Sequence, residues 1–381
     1  MRLIIGKWGE HPFFEEVLSS FFAPPCFWLF GYRETLLWVV TNYGLCPDFL
    51  LHSRKESSLA WVTIMGKPAQ IPVEVICFGE PLIGIYPPPN RSVTDDVSLL
   101  KTWGGDTSNV ALALSKLGHK TAYITRIGSD EFGSSFQRLW QEVGVNISQV
   151  QIDDEHRTGL YFVSFRNKQH HLTYYRKDSA ASFISSKYID WEFVRMAKAI
   201  HLSGISQGIS QDALKLSFEL MEFAKKNDIL ISYDVNYRPA LWRRDVAKAV
   251  TSHTINEYAD ILEITDDEMS LLGWGKEPRD LKSSLPRVPS VCAAKMGEKG
   301  CYLVHNGEEA WIKPFQVQVQ DTVGAGDAFD AGLIAGILKE LPLIKLGEFA
   351  NAVAALTCRG TGPLSMQPTM EEVQKLIGSA R

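Results

Sequence analysis

The 381-residue sequence predicts an α/β fold: a mostly parallel sheet covered on both faces by helices. Three observations point there. From residue 73 onward, short apolar β-branched runs alternate with stretches whose apolar residues recur at helical spacing. Helical stretches stop at glycines, at Gly118 and Gly144. Two half-polar extended runs break the alternation and read as a small sheet inserted into the core.

The elements follow in order. Residues 73–78 are a short buried strand ending at Gly79, and residues 107–117 a helix. A strand over 121–127 and a helix over 132–143 come next. Then follow strand 199–202, helix 211–226, strand 229–234, helix 246–257 and strand 261–264. Strands 291–295 and 301–305 precede two closing helices, 326–339 and 347–357. Crossovers between parallel strands are expected to be right-handed. The interruptions lie within 82–103 and 158–176, where "LYFVSF" and "HLTYYR" read as antiparallel strands able to cover a site as a lid.

Residues 1–64 stand apart. They hold thirteen aromatics, and four of the ten tryptophans. No apolar run there approaches the roughly 20 residues of a membrane-spanning helix. Glu10, Glu15 and Glu16 interrupt any signal-peptide pattern. A short helix over 12–22 is the single element suggested. The segment reads as a poorly ordered extension or a start site placed too far upstream, because Met65 opens a stretch that resembles a natural start. The remaining 65–381 reads as one unit.

Composition narrows the function. Hydrophobic residues at 45% and charged residues at 22% suit a globular chain with a sizeable core. A net charge of −5 disfavours nucleic-acid binding through bulk positive charge. Six scattered cysteines without a C-x-x-C pair argue against a disulfide scaffold or zinc site and fit a reducing, cytoplasmic compartment.

The segment "DTVGAGDAFDAG", 321–332, carries chemistry. Gly324, Ala325 and Gly326 let a ligand approach the backbone closely. They stand where a helix begins, so free amides and the helix dipole make an anion site. Asp327 in the first turn suits a base that deprotonates a hydroxyl attacking a phosphoryl group. The plainer reading is a glycine-rich turn with a helix-start aspartate. The segment lacks the Lys-Ser or Lys-Thr of the G-x-x-x-x-G-K-[ST] nucleotide loop.

This segment resembles the C-terminal signature of the ribokinase (PfkB-type) carbohydrate kinases. "WGGDTSNVALALSKLG", 103–118, resembles their N-terminal signature, about 220 residues earlier. The resemblance covers roughly 73–375. It implies a three-layer α/β/α ribokinase-like core with a small β lid, and transfer of a phosphoryl group from ATP, with Mg²⁺, to a sugar hydroxyl. A monovalent cation such as K⁺ is a further candidate. By resemblance Asp327 is the catalytic base, and the amides of Gly324, Ala325, Gly326 and Asp327 are the anion hole. "KMGEKG", with Lys295, Gly297 and Gly300, is similar to the strand-turn before the nucleotide site. Asn351 matches a position near the adenine.

Segments 174–182, 234–242 and 157–162 are similar to 2-keto-3-deoxygluconate kinases. A sugar acid brings a carboxylate, which arginine binds through two parallel hydrogen bonds. Arg176 and Arg238 lie in two of these segments, and Arg238 is expected to face the carboxylate. Tyr161 and Tyr174 would form an apolar wall with hydroxyls. Asn109, Asn236 and the Gly104 and Gly105 backbone would bind sugar hydroxyls. Relatives carry Asn-x-x-Glu where this chain has "TDDE", 265–268; Glu268 keeps the acidic position that acts on Mg²⁺ through water, while Thr265 lacks the amide donors. Arg243 and Arg244 read as a solvated helix face, His170 and His171 as a loop tip, and Asp153 and Asp154 as a turn. The rival readings are a kinase for 5-keto-2-deoxygluconate, fructose or ribose, and a non-catalytic sugar-binding regulator. Exposed lid strands suggest a homodimer or higher oligomer through the lid.

Overall fold

The computed structural model describes residues 72–88, 91–166, 169–285 and 287–379, with the short strands Ile5–Gly6, Phe30–Tyr32 and Thr35–Leu37. The chain divides into two compact units, Met1–Pro68 and Ala69–Arg381. In the first, the three short strands pair antiparallel with Thr35–Leu37 in the centre. The helix expected over 12–22 lies outside the described residues.

The second unit is built on a nine-stranded sheet. Its order runs Glu308–Ile312, Cys301–His305, Val291–Lys295, Ile261–Thr265, Leu230–Asp234, Ala199–Ser203, Val75–Phe78, Thr121–Gly128, Val150–Asp153. All neighbours are parallel except the two pairs made by Cys301–His305. Side chains alternate between the faces. Ile76, Phe78, Ile200 and Leu202 pack with helix Gln211–Lys226, while Val75, Cys77 and Ala199 pack with helices Asp106–Lys116 and Ala325–Leu338. Both faces are therefore covered, as three layers require.

The sequence reading misses the edge strands Val150–Asp153 and Glu308–Ile312 and the last helix, Met370–Ser379. Asp153 is not part of an open turn: it ends a strand, is buried, and accepts from Arg126 Nε at 2.8 Å and the amides of Glu155 and His156. His170 and His171 are not at a loop tip: both lie on strand Gln169–Tyr175, paired with Phe165 and Ser164.

The inserted runs form a separate four-stranded sheet, ordered Gln169–Tyr175, Leu160–Arg166, Leu82–Tyr86, Leu100–Gly104. Two hairpins make it, but their junction, Leu82–Tyr86 with Leu160–Arg166, is parallel rather than antiparallel. The reason is topological. Leu82–Tyr86 continues from core strand Val75–Phe78, and Leu160–Arg166 follows core strand Val150–Asp153. Both leave the same end of a parallel sheet, so both run the same way.

The strand order reverses between Val75–Phe78 and Ala199–Ser203. From the first the chain moves outward on one side, and from the second on the other. Ligands of open α/β sheets bind at the carboxyl ends of strands beside such a reversal.

Candidate active site

A cleft of about 1650 Å³ opens over those strand ends. Its walls bring together every candidate site residue named from the sequence except Gly104, and also Arg244, expected on a solvated helix face. Gly104 instead makes room for the lid: a Cβ there would lie 2.9 Å from the Tyr161 hydroxyl. Gly105 does line the cleft, at a φ of +101° that disfavours a side chain.

Helix Ala325–Leu338 starts at the cleft. Gly324 takes a φ of +82°, and no side chain caps the helix. The Ala325 amide donates to the Thr322 carbonyl at 3.2 Å, and those of Gly326 and Asp327 are left for a ligand, which is what an anion hole needs. Asp327, in the first turn, accepts a 2.7 Å hydrogen bond from Asn109 Nδ2. Burial pushes the Asp327 carboxyl up, and the charge of Asp106 adds to this. Asn109 opposes both, and the outcome is about 7. A carboxylate with that pKa is suited to general-base work near neutrality.

On the sugar side, Tyr161 and Tyr174 come from facing lid strands, 6.1 Å apart between ring centres. Leu82 and Leu172 extend this wall. Arg176 and Arg238 both line the cleft, in different states. Arg176 is buried and ion-paired with Glu80, which Ser179 also holds at 2.5 Å. Much of its charge is therefore neutralised inside the protein. Arg238 is 42% exposed, and its nearest acid, Glu268 Oε1, is 3.9 Å away. Asn236, in the left-handed region at φ +38°, donates to Asp106 Oδ2 at 3.1 Å.

Near Gly326 lies a buried charge cluster that sequence reasoning missed. Lys295 Nζ sits 3.0 Å from Asp234 Oδ2 and 2.9 Å from Asp330 Oδ1. Burial works against the Lys295 charge, but the two acids outweigh it and hold its pKa above the usual lysine range. Burial and the charge of Asp234 raise Asp330, while Lys295 and a hydrogen bond from Asp330 outweigh burial and lower Asp234. The two acids beside Lys295 are thus shifted in opposite directions. Lys295, read as a cofactor ligand, thus has two acids as its primary partners; a Cβ on Gly326 would come 3.7 Å from its Nζ.

On the nucleotide side, Gly297, Gly300, Val317, Val319 and Ala355 line the cleft with Asn351. Small and apolar residues suit an aromatic base, and the uncapped helix start suits phosphates. Asn351 donates to the carbonyl of Lys313 at 3.0 Å, so its amide tethers the segment after Glu308–Ile312. Glu268 also has structural work. Its Oε1 accepts from the Tyr237 amide at 2.7 Å and its Oε2 from the Thr265 amide at 3.0 Å. The Thr265 hydroxyl accepts from the Glu268 amide in return, completing a capping box. Threonine suits this position because its hydroxyl caps a helix well. Among the described residues no group of three or more His, Cys, Asp or Glu side chains could hold a metal. The acids on the cleft wall fit Mg²⁺ in the usual manner, held mainly by phosphates and water.

Residues 73–370 match the pfkB family of carbohydrate kinases. The chain belongs to this family. It is therefore an enzyme, a carbohydrate kinase. It is 30% identical to a probable chloroplastic fructokinase-6 of Arabidopsis thaliana, over 87% of this chain and 89% of the relative. It is also 30% identical to a 2-dehydro-3-deoxygluconokinase of Bacillus subtilis, over 81% and 97%. A sugar kinase from Pyrococcus horikoshii, solved in complex with ATP, superposes with a TM-score of 0.70 at 28% identity, over 79% of this pfkB chain and 99% of the other. No helix among the described residues is long and apolar enough to cross a membrane.

Proposed function

We propose that this pfkB kinase transfers the γ-phosphoryl group of ATP to the terminal hydroxyl of a sugar acid, 2-keto-3-deoxygluconate. One observation carries the choice of substrate. Arg238 presents a partly exposed guanidinium to the cleft with no acid closer than the 3.9 Å of Glu268, whose two oxygens are already taken by amides. A neutral hexose has no use for such a charge; a carboxylate has.

In this reading Asp327 accepts the hydroxyl proton as the oxygen attacks phosphorus in line. The amides of Gly324, Gly326 and Asp327 hold the phosphoryl oxygens, and the lid aromatics keep water out. Asn109 keeps the Asp327 carboxylate aimed. Mg²⁺ arriving with the nucleotide supplies further neutralisation of phosphate charge. Catalysis of this kind is mainly positioning and electrostatics.

Arg238→Ala tests the assignment. It is expected to raise KM for the sugar acid at least about tenfold and leave fructose turnover little changed. An equal effect on both sugars would remove the carboxylate contact. Fructose is the second reading, supported by a fructokinase relative as similar as the sugar-acid kinase.

Three further features belong to the proposal. Tyr175 and Phe162 stack edge-to-face, with Tyr175 63% exposed, which suits a homodimer through the lid. Cys77, Cys292, Cys301 and Cys358 are free thiols, which suits the cytoplasm. The kinase unit is taken as 65–381, and stimulation by K⁺ is part of the same reading; assays of that fragment beside the full chain, with and without K⁺, check both.

A further inference from the structure

The lid joins the core at four chain crossings, and all four meet at Glu80. The first is Glu80 with Pro81, between core strand Val75–Phe78 and lid strand Leu82–Tyr86. The second, at Gly105, leads from Leu100–Gly104 into helix Asp106–Lys116; a Cβ on Gly105 would lie 2.4 Å from the Glu80 carbonyl oxygen. The third, at Gly159, enters Leu160–Arg166; a Cβ there would lie 2.7 Å from Glu80 Oε1. The fourth leaves Gln169–Tyr175 through Arg176, whose guanidinium pairs with Glu80 Oε2. It then reaches Ser179, whose hydroxyl donates to Glu80 Oε1 at 2.5 Å.

Glu80 is 1% exposed and Arg176 9%. Burial pushes the Glu80 carboxyl above the ordinary glutamate value, and the Arg176 guanidinium is the largest force opposing this. A buried ion pair is rarely more stabilising than an apolar pair of the same volume, so stability does not account for it. What it fixes here is the setting of one sheet against another. Arg176 carries that constraint to the cleft wall: its guanidinium lies 5.8 Å from the Tyr174 ring centre, and Tyr174 packs against Tyr161. We infer that Glu80 is a positioning residue for phosphoryl transfer, which pins the four crossings through Arg176 and Ser179 and holds the lid where it keeps water away from the acceptor position. This rests on the sugar-kinase reading and holds whichever sugar is accepted. It makes Arg176 a partner of Glu80 rather than a second ligand of the sugar. Water is the competing nucleophile. Its oxygen would attack the γ-phosphorus, the bond to the ADP oxygen would break, and its proton would pass to Asp327.

The test uses the full-length chain and follows two products, sugar phosphate and inorganic phosphate released from ATP. Glu80→Gln keeps the shape and removes the charge that faces Arg176. It is expected to lower kcat/KM for the accepted sugar at least about tenfold and to raise the ratio of ATP hydrolysis to sugar phosphorylation at least about fivefold. The KM for ATP is expected to stay within about twofold, because Gly297, Gly300 and Asn351 belong to the core. Arg176→Met is expected to act alike, and the double variant to cost no more than either single one. Hydrogen exchange reads the pinning without sugar: lid strands Leu160–Arg166 and Gln169–Tyr175 are expected to exchange faster in Glu80→Gln, with Val75–Phe78 unchanged. Should Glu80→Gln fail to fold, Ser179→Ala removes one bond from the same carboxylate and is expected to raise the ratio at least about twofold. A wild-type ratio in Glu80→Gln, or in Ser179→Ala where the first does not fold, would overturn the inference and leave the kinase reading intact. Should the wild-type chain phosphorylate no sugar, the kinase reading fails, and wild-type lid exchange in the variant would overturn the pinning as well.

Discussion

Asn109 Nδ2 lies 2.7 Å from Asp327 Oδ2, a hydrogen bond between residues 218 positions apart. It ties the start of helix Asp106–Lys116 to the start of helix Ala325–Leu338. The bond holds the Asp327 carboxylate in one orientation and favours its ionised form.

A pH dependence follows. Asp327 sits at about 7, raised by burial and by Asp106, so below pH 7 it is increasingly protonated and unable to accept the sugar proton. The profile of kcat/KM is expected to fall about tenfold per pH unit on the acidic side and to level off above it. Asn109→Ala removes a bond that favours the charged form, so the midpoint is expected to move to higher pH. A midpoint unmoved, or moved to lower pH, contradicts the role given to this bond.

Removal of the base itself separates chemistry from binding. Asp327→Asn keeps the shape of the side chain and loses the proton acceptor. The expected result is a fall in kcat of at least about 100-fold, with sugar binding by calorimetry close to wild type. Near-wild-type turnover would remove Asp327 from the mechanism.

The cluster near Gly326 is a question of stability. Lys295→Met leaves the Asp234 charge buried without its cation, 3.0 Å from where Nζ stood. Breaking a buried pair in this way costs about 3–5 kcal/mol. Denaturant unfolding is expected to show a loss of that order. A loss under 1 kcal/mol would mean that the acids simply take up protons and need no lysine.

The sequence makes much of this legible because local chemistry declares itself locally. Gly324, Ala325, Gly326 and Asp327 advertise a helix start suited to an anion in one short run, and strand-helix alternation marks the core. Pairings between distant segments leave no such trace. Nothing near Asp330 signals that Lys295 reaches it, and nothing near Arg176 signals Glu80, 96 positions earlier. The lid strands are readable, but the parallel junction between them depends on where each hairpin leaves the core.

The acceptor proposed for this pfkB kinase is a sugar acid. A panel of 2-keto-3-deoxygluconate, 5-keto-2-deoxygluconate, fructose and ribose, assayed on the full chain with coupled ADP detection, tests it most directly. The account predicts the highest kcat/KM for 2-keto-3-deoxygluconate. A higher kcat/KM for fructose or ribose would contradict it.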